Sequence, residues 1–120
     1  MRTNSQQAPL LPLSPHTRSW LALGHDDLHQ HLIIRGRVPP LGHLEYLLAR
    51  SLLVQYQEWE AGCSDHRTVS AAVLRQETGA RSPLALYRLV SDVRSKLSPF
   101  GLQIKMVLGE GYFLDQVPDW

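Results

Sequence analysis

Only one of the 120 residues is cysteine, Cys63. That excludes a disulfide framework within the chain and any zinc site built from several thiolates. Long apolar runs are missing too. Clusters such as Leu10–Leu11 and Leu52–Val54 fall far short of the roughly 18 residues that mark a membrane-spanning helix. Near the start, Arg2 is followed by Gln, Pro and Ser, not by the apolar stretch of a secretory signal. Net charge is also scarce: 12 Lys and Arg against 11 Asp and Glu leave +1. The expectation is a soluble, cytoplasmic chain with no membrane partner. It is long enough for one domain, and 43% hydrophobic residues can supply a core.

The small net charge averages over unlike segments. Between positions 66 and 105 the basic residues are Arg67, Arg75, Arg81, Arg88, Arg94, Lys96 and Lys105, against Glu77 and Asp92, a surplus of five. The preceding 65 residues carry −1 and the last 15 carry −3. A bulk value that argues against a nucleic-acid partner therefore conceals a basic segment that readmits one.

Punctuation along the chain divides it further. Pro9, Pro12 and Pro15, with Gln6 and Gln7, read as an extended tail over residues 1–17. Residues 18–118 read as the domain. From Trp20 to Val38 the pattern predicts a small antiparallel meander. Its first turn is placed at Gly24-His25-Asp26-Asp27, a strand follows over Leu28–Ile34, and a second turn falls at Arg35-Gly36-Arg37. A helical period begins after Leu41. Leu44, Leu47, Leu48, Ser51, Leu52 and Gln55 share one side, with Gly42 at the start and Gly62 at the stop. A second helix is expected over about Ala71 to Glu77, capped by Thr68 or Ser70, with Ala72, Val73 and Leu74 as its apolar positions and Gly79 closing it. Ser82 and Pro83 open a third, whose Leu86, Val90, Val93 and Leu97 form a buried stripe, and Pro99 and Gly101 end it. Two strand-like runs around Gly109-Glu110-Gly111 predict a hairpin. That Gly-x-Gly precedes a strand and lacks the third glycine, so it is not a nucleotide fingerprint.

Three helices followed by a hairpin is the layout of a winged helix. Four segments, in order, resemble the DNA-binding effector domain of OmpR/PhoB-type response regulators. They are Leu41-Gly42-His43-Leu44-Glu45-Tyr46, then Val69-Ser70 with Leu74, then Val90-Ser91-Asp92-Val93-Arg94-Ser95-Lys96-Leu97, then Val107-Leu108-Gly109-Glu110-Gly111-Tyr112. The resemblance spans about Trp20 to Val117. It implies an α+β winged helix-turn-helix, with a small N-terminal antiparallel sheet, three helices and a C-terminal β-hairpin wing. The family's usual receiver domain does not fit in 120 residues beside this one.

The resemblance implies a transcriptional regulator that binds double-stranded DNA, with the third helix in the major groove and the hairpin as wing. The free face of the third helix is expected to show Ala85, Arg88, Leu89, Asp92, Ser95 and Lys96. Arg88, Ser95 and Lys96 would touch DNA, Leu89 would meet a thymine methyl, and Asp92 would accept from cytosine N4. Arg75 and Arg81 suit phosphates from the second helix and the turn, Lys105 from the wing strand, with Tyr112 at the wing. Arg94 would hold phosphate or brace the domain through a carboxylate such as Glu45. A homodimer reading two half-sites about 10 base pairs apart suits the motif, although no dimer surface is identifiable in the sequence.

Asp92, Leu108 and Phe113 stand where this family tends to be basic. They motivate an alternative, a winged helix that binds another regulator or a polymerase component through Leu84, Leu89 and Leu108. Catalysis is not expected. Cys63 beside Asp65 and His66 lacks an orienting acid and an oxyanion hole. His29 and His31 share a strand face, but no carboxylate or thiolate set joins the six histidines as a metal site, so neither metal nor cofactor is expected.

Overall fold

The computed structural model describes residues 23–117. The tail read over residues 1–17 and the strand start at Trp20 lie outside them. Two short strands come first, β1 (Leu23–Asp26) and β2 (His31–Ile34), paired antiparallel with Leu23 opposite Ile34 and Asp26 opposite His31. Three helices follow: α1 (His43–Glu60), α2 (Ala71–Thr78) and α3 (Pro83–Leu97). A single 3-10 turn, Ser98–Phe100, leads into the hairpin of β3 (Leu102–Val107) and β4 (Gly111–Gln116). One core joins them, with Leu32 and Ile34 from β2, Leu48 and Leu52 from α1, Leu74 from α2, the α3 stripe, and Leu102 and Leu114 from the hairpin.

The first turn lies later than the sequence suggested. Gly24 to Asp26 is strand, and Leu28 is at the turn tip, not in β2. Asp26 decides this: its carboxylate accepts the backbone N–H groups of Leu28 and His29 and also meets the His29 ring at 2.7 Å, closing a turn after itself. At Arg35-Gly36-Arg37 the turn is present, closed by reciprocal backbone bonds between Ile34 and Arg37. It leads to no third strand among the described residues, so the sheet has two strands and is not a meander.

Helix ends follow the local chemistry. Ser70 and Ser82 accept the N–H groups of Val73 and Ala85, and Pro83 occupies the first turn of α3. Gly79 ends α2 in the left-handed conformation that disfavours other residues. The four residues between α2 and α3 make the tight connection of a helix-turn-helix. The buried side of α1 differs from the expected leucine stripe. Tyr46, Leu48, Ala49, Leu52, Leu53 and Tyr56 face inward, whereas Leu44 is largely exposed. The two tyrosine rings bury because their hydroxyls find partners at the edge, Tyr46 on Asp27 and Tyr56 on Glu60. On α2, Leu74 and Thr78 are buried, while Ala72 and Val73 face out. The Thr78 hydroxyl is satisfied by donating to the Leu74 carbonyl.

Two long-range contacts fix how α3 and the hairpin sit. Val69, just before α2, exchanges both backbone hydrogen bonds with Tyr112, at 2.8 and 3.0 Å, and so extends the hairpin sheet by one bridge. Gly111 makes this approach possible. A Cβ there would overlap the Val69 carbonyl, and its φ is +144°. The second contact centres on Glu45 at the start of α1. One carboxylate oxygen accepts the Gly42 N–H and the Lys96 ammonium, both at 2.7 Å, so the α1 cap is tied to the last turn of α3. Burial pushes the Glu45 pKa up, but the Gly42 N–H and Lys96 together outweigh it and hold the carboxyl below its ordinary 4.5.

Gly111→Ala should destabilise the domain by about 1–3 kcal/mol from backbone conformation alone, before the overlap with Val69 is relieved. Thermal melts should show a smaller loss for Gly109→Ala, which meets the backbone cost of a φ of +80° but has no atom crowding the position. Because the folded-state pKa of Glu45 is depressed, its contribution is complete above about pH 4.5 and fades as pH falls through the folded value. Melting temperatures across pH 3–7 should show that Glu45→Gln lowers stability near neutrality and flattens this acid limb.

Candidate nucleic-acid interface

The buried stripe of α3 sets what the helix can offer a partner. Leu86, Val90, Val93 and Leu97 are almost completely enclosed. At about 100° per residue, the opposite side centres on Leu84, Arg88, Ser91 and Ser95, flanked by Tyr87 on one edge and by Ala85 and Asp92 on the other. All of these are exposed. Arg88, Asp92 and Ser95 are thus where the sequence placed them.

Leu89 and Lys96 are not on that free face. Leu89 is half-buried and packs on the core, because it lies only a fifth of a turn from the buried stripe. Lys96 is also half-buried, with its ammonium on Glu45. Lys96, not Arg94, is therefore the brace to Glu45. Arg94 donates its Nε–H to the Ile104 carbonyl at 3.0 Å, which joins α3 to β3. Tyr87 and Ser91 had no place on the expected face, yet both are exposed on it. Counting outward from the four buried positions, not from the motif, would have found them.

The basic surplus divides in the same way. Lys105 pairs with Asp115 at 3.1 Å, and Arg67 lies 3.6 Å from the same side chain. The Arg67 guanidinium also stacks over Phe113 at 4.2 Å and Trp59 at 4.8 Å. Phe113, at a position where a basic residue was expected to serve the wing, is instead buried beneath this arginine. Arg75 donates to the carbonyls of Ala80 and Arg81, at 3.4 and 2.8 Å, and so stiffens the turn between α2 and α3. No acid among the described residues neutralises its charge. The side chains of Arg81, in the turn, and Arg88, on α3, have no hydrogen-bond or ion-pair partner among the described residues. In particular, Arg88 and Asp92 do not form the pair that four-residue spacing would allow.

The hairpin completes the surface. Its turn is closed by the Glu110 N–H on the Val107 carbonyl, with Gly109 at positive φ. Leu108 stands at the tip with 89% of its surface exposed, and Met106 is exposed on β3. Tyr112, expected at the wing surface, is 8% exposed and belongs to the core. Leu84, Leu89 and Leu108 do not share one exposure: the first and last are open, whereas Leu89 is packed inward. An open surface depression of about 620 Å³ lies where Gln55, His66, Ser70 and Glu110 meet. No cluster of three or more His, Cys, Asp or Glu is arranged for a metal among the described residues. None of the described helices is long and apolar enough to cross a membrane.

Neither a family model nor a curated protein matches the chain. Solved structures do. The DNA-binding domain of the response regulator AdeR, in complex with an intercistronic region, superposes with a TM-score of 0.62 at 20% identity, covering 79% of this chain and 94% of that one. A member of a family of redox sensors in the streptococci, evolved from two-component response regulators, superposes with a TM-score of 0.58 at 20% identity. That match covers 91% of this chain but only 44% of the other, so the chain spans less than half of that protein. With its helix-turn-helix between two small antiparallel sheets, the second of them the C-terminal hairpin, the chain has the winged-helix fold seen in the DNA-binding domain of a response regulator.

Proposed function

We propose that this protein is a sequence-specific DNA-binding transcriptional regulator that lays α3 in the major groove and uses the β3–β4 hairpin as its wing. The observation that carries this reading is Arg88 on the exposed face of a helix-turn-helix, with Arg81 in the turn beside it, both without a partner among the described residues. A groove about 12 Å wide admits such a helix, and α2 would then cross the backbone. Arg81 and Arg75 would meet phosphates, Arg88 and Ser95 base edges or flanking phosphates, and Asp92 an exocyclic amine. The fold's presence in a DNA-bound neighbour supports the same partner. Lys96, Lys105 and Tyr112 would act indirectly in this reading: they hold α1, β4 and the wing base in place and spend their polar groups or surface within the domain. No reacting group or bound cofactor is needed for this function, and two copies on adjacent half-sites would suit it.

A second reading rests on the wing. Leu108 and Met106 present apolar surface where a phosphate-contacting wing would carry charge. In that reading the hairpin tip meets a protein, such as another regulator or a polymerase component, while α3 contacts DNA weakly or not at all.

Titration against duplexes selected from a random pool separates the two. Arg88→Ala should weaken the selected duplex by about 1–3 kcal/mol and relax the preference at one base position if Arg88 reads a base. Arg81→Ala should weaken all duplexes alike and reduce the salt slope by about one. Absence of saturable binding at low salt would overturn the first reading, and Leu108→Asp would then be the variant to test against a protein partner.

A further inference from the structure

The exposed face of α3 is not uniformly polar. Leu86, Val90, Val93 and Leu97 on the buried side are at 2% exposure or less, yet Leu84 and Tyr87 are each 57% exposed, three residues apart in the first turn and a half. Arg88 follows Leu84 by one turn. The 15-residue helix is about 22 Å long, nearly twice the width of the major groove, so only part of it can lie at base edges. In helix-turn-helix docking that part is the N-terminal end. Ser91 and Ser95, further along the same exposed face, are small and would let the helix backbone approach the duplex. Asp92 lies on the edge away from Tyr87, so the apolar pair and the acid divide the face between them.

Resting on the DNA-binding reading above, we propose that Leu84 and Tyr87 are specificity determinants that recognise the 5-methyl group of thymine. The chemistry fits. The methyl is the one apolar group that a base pair displays in the major groove, and it distinguishes T·A from C·G without a hydrogen bond. A leucine and a tyrosine ring side by side can enclose a methyl from two directions and remove it, and part of themselves, from water. This assigns to Leu84 and Tyr87 the role that sequence reading gave to Leu89, which the fold turns inward. It also gives the exposed Leu84 a use that does not require a protein partner. Arg88, one turn on, would then fix the register of the same base step, with thymine beside the base or phosphate that it holds.

The test uses the whole chain and a duplex it selects from a random pool. Each thymine in turn is replaced by deoxyuridine, which removes only the methyl. One or two positions should lose affinity by about fourfold each, the size expected for one buried methyl. Cytosine at those positions should bind worse still, and 5-methylcytosine should recover part of the difference. In a variant carrying Leu84→Ala and Tyr87→Ala, the thymine and deoxyuridine duplexes should bind equally. Both side chains are exposed, so the melting temperature should stay near wild type. If the wild-type chain binds its selected duplex but no thymine-to-deoxyuridine change alters affinity, the methyl assignment is wrong and the DNA-binding reading survives. If no duplex is bound saturably, the DNA-binding reading falls and this assignment falls with it.

Discussion

The bridge between Val69 and Tyr112 is the contact on which the functional surface depends. It joins the residue leading into α2 to the first residues of β4, and so holds the helix-turn-helix and the hairpin as one rigid unit. In the proposed DNA-binding role that rigidity matters, because the helix and the hairpin would meet features of one duplex at a fixed separation. The bridge exists only because position 111 lacks a side chain. The glycine that looks like half of a turn signal is thus equally a packing requirement. Arg94 on the Ile104 carbonyl and Lys96 on Glu45 reinforce the same arrangement from α3, one toward the hairpin and one toward α1.

These contacts also change the meaning of the basic segment. Its surplus of five charges first looks like a phosphate-binding stripe. The fold spends Arg67, Lys96 and Lys105 on acids within the domain and uses Arg75 and Arg94 to hold backbone carbonyls. Among the described residues, the charge of this segment left without a partner is on Arg81 and Arg88, in the turn and on the outward side of α3. In the proposed DNA-binding role, a surface with few cations, the exposed Leu84 and Tyr87 and one acid would discriminate among base edges. It gains less from the unspecific attraction of phosphates, which scales with the number of cations placed against them.

Much of the fold was legible in the sequence, because its signals are local. Ser70, Ser82 and Pro83 start helices, Gly79 stops one, and the spacing of Leu86, Val90, Val93 and Leu97 reports the buried side of α3 directly. The hairpin was legible from two strand-like runs around a glycine turn. What was not legible depended on distant partners. The inward side of α1 rests on tyrosine hydroxyls reaching Asp27 and Glu60, and a leucine count is blind to that. The first turn moved because one carboxylate, Asp26, captured two backbone N–H groups ahead of it. The Glu45 partner lies 51 residues away, and only the packing of α1 against α3 selects Lys96 over Arg94. For the candidate site, Arg88, Asp92 and Ser95 were legible from helical phase. Leu89 and Lys96 were misplaced because motif positions were read in place of angles around the helix.

In the proposed function, α3 and the hairpin together form a DNA interface. The most direct measurement is the change in backbone amide NMR shifts as a selected duplex is added to the protein. The large changes should fall in the first turns of α3, in the turn around Arg81, near Ser70 at the start of α2, and around Leu108. Changes confined to β1, β2 and the outer side of α1, with α3 unaffected at saturation, would contradict it.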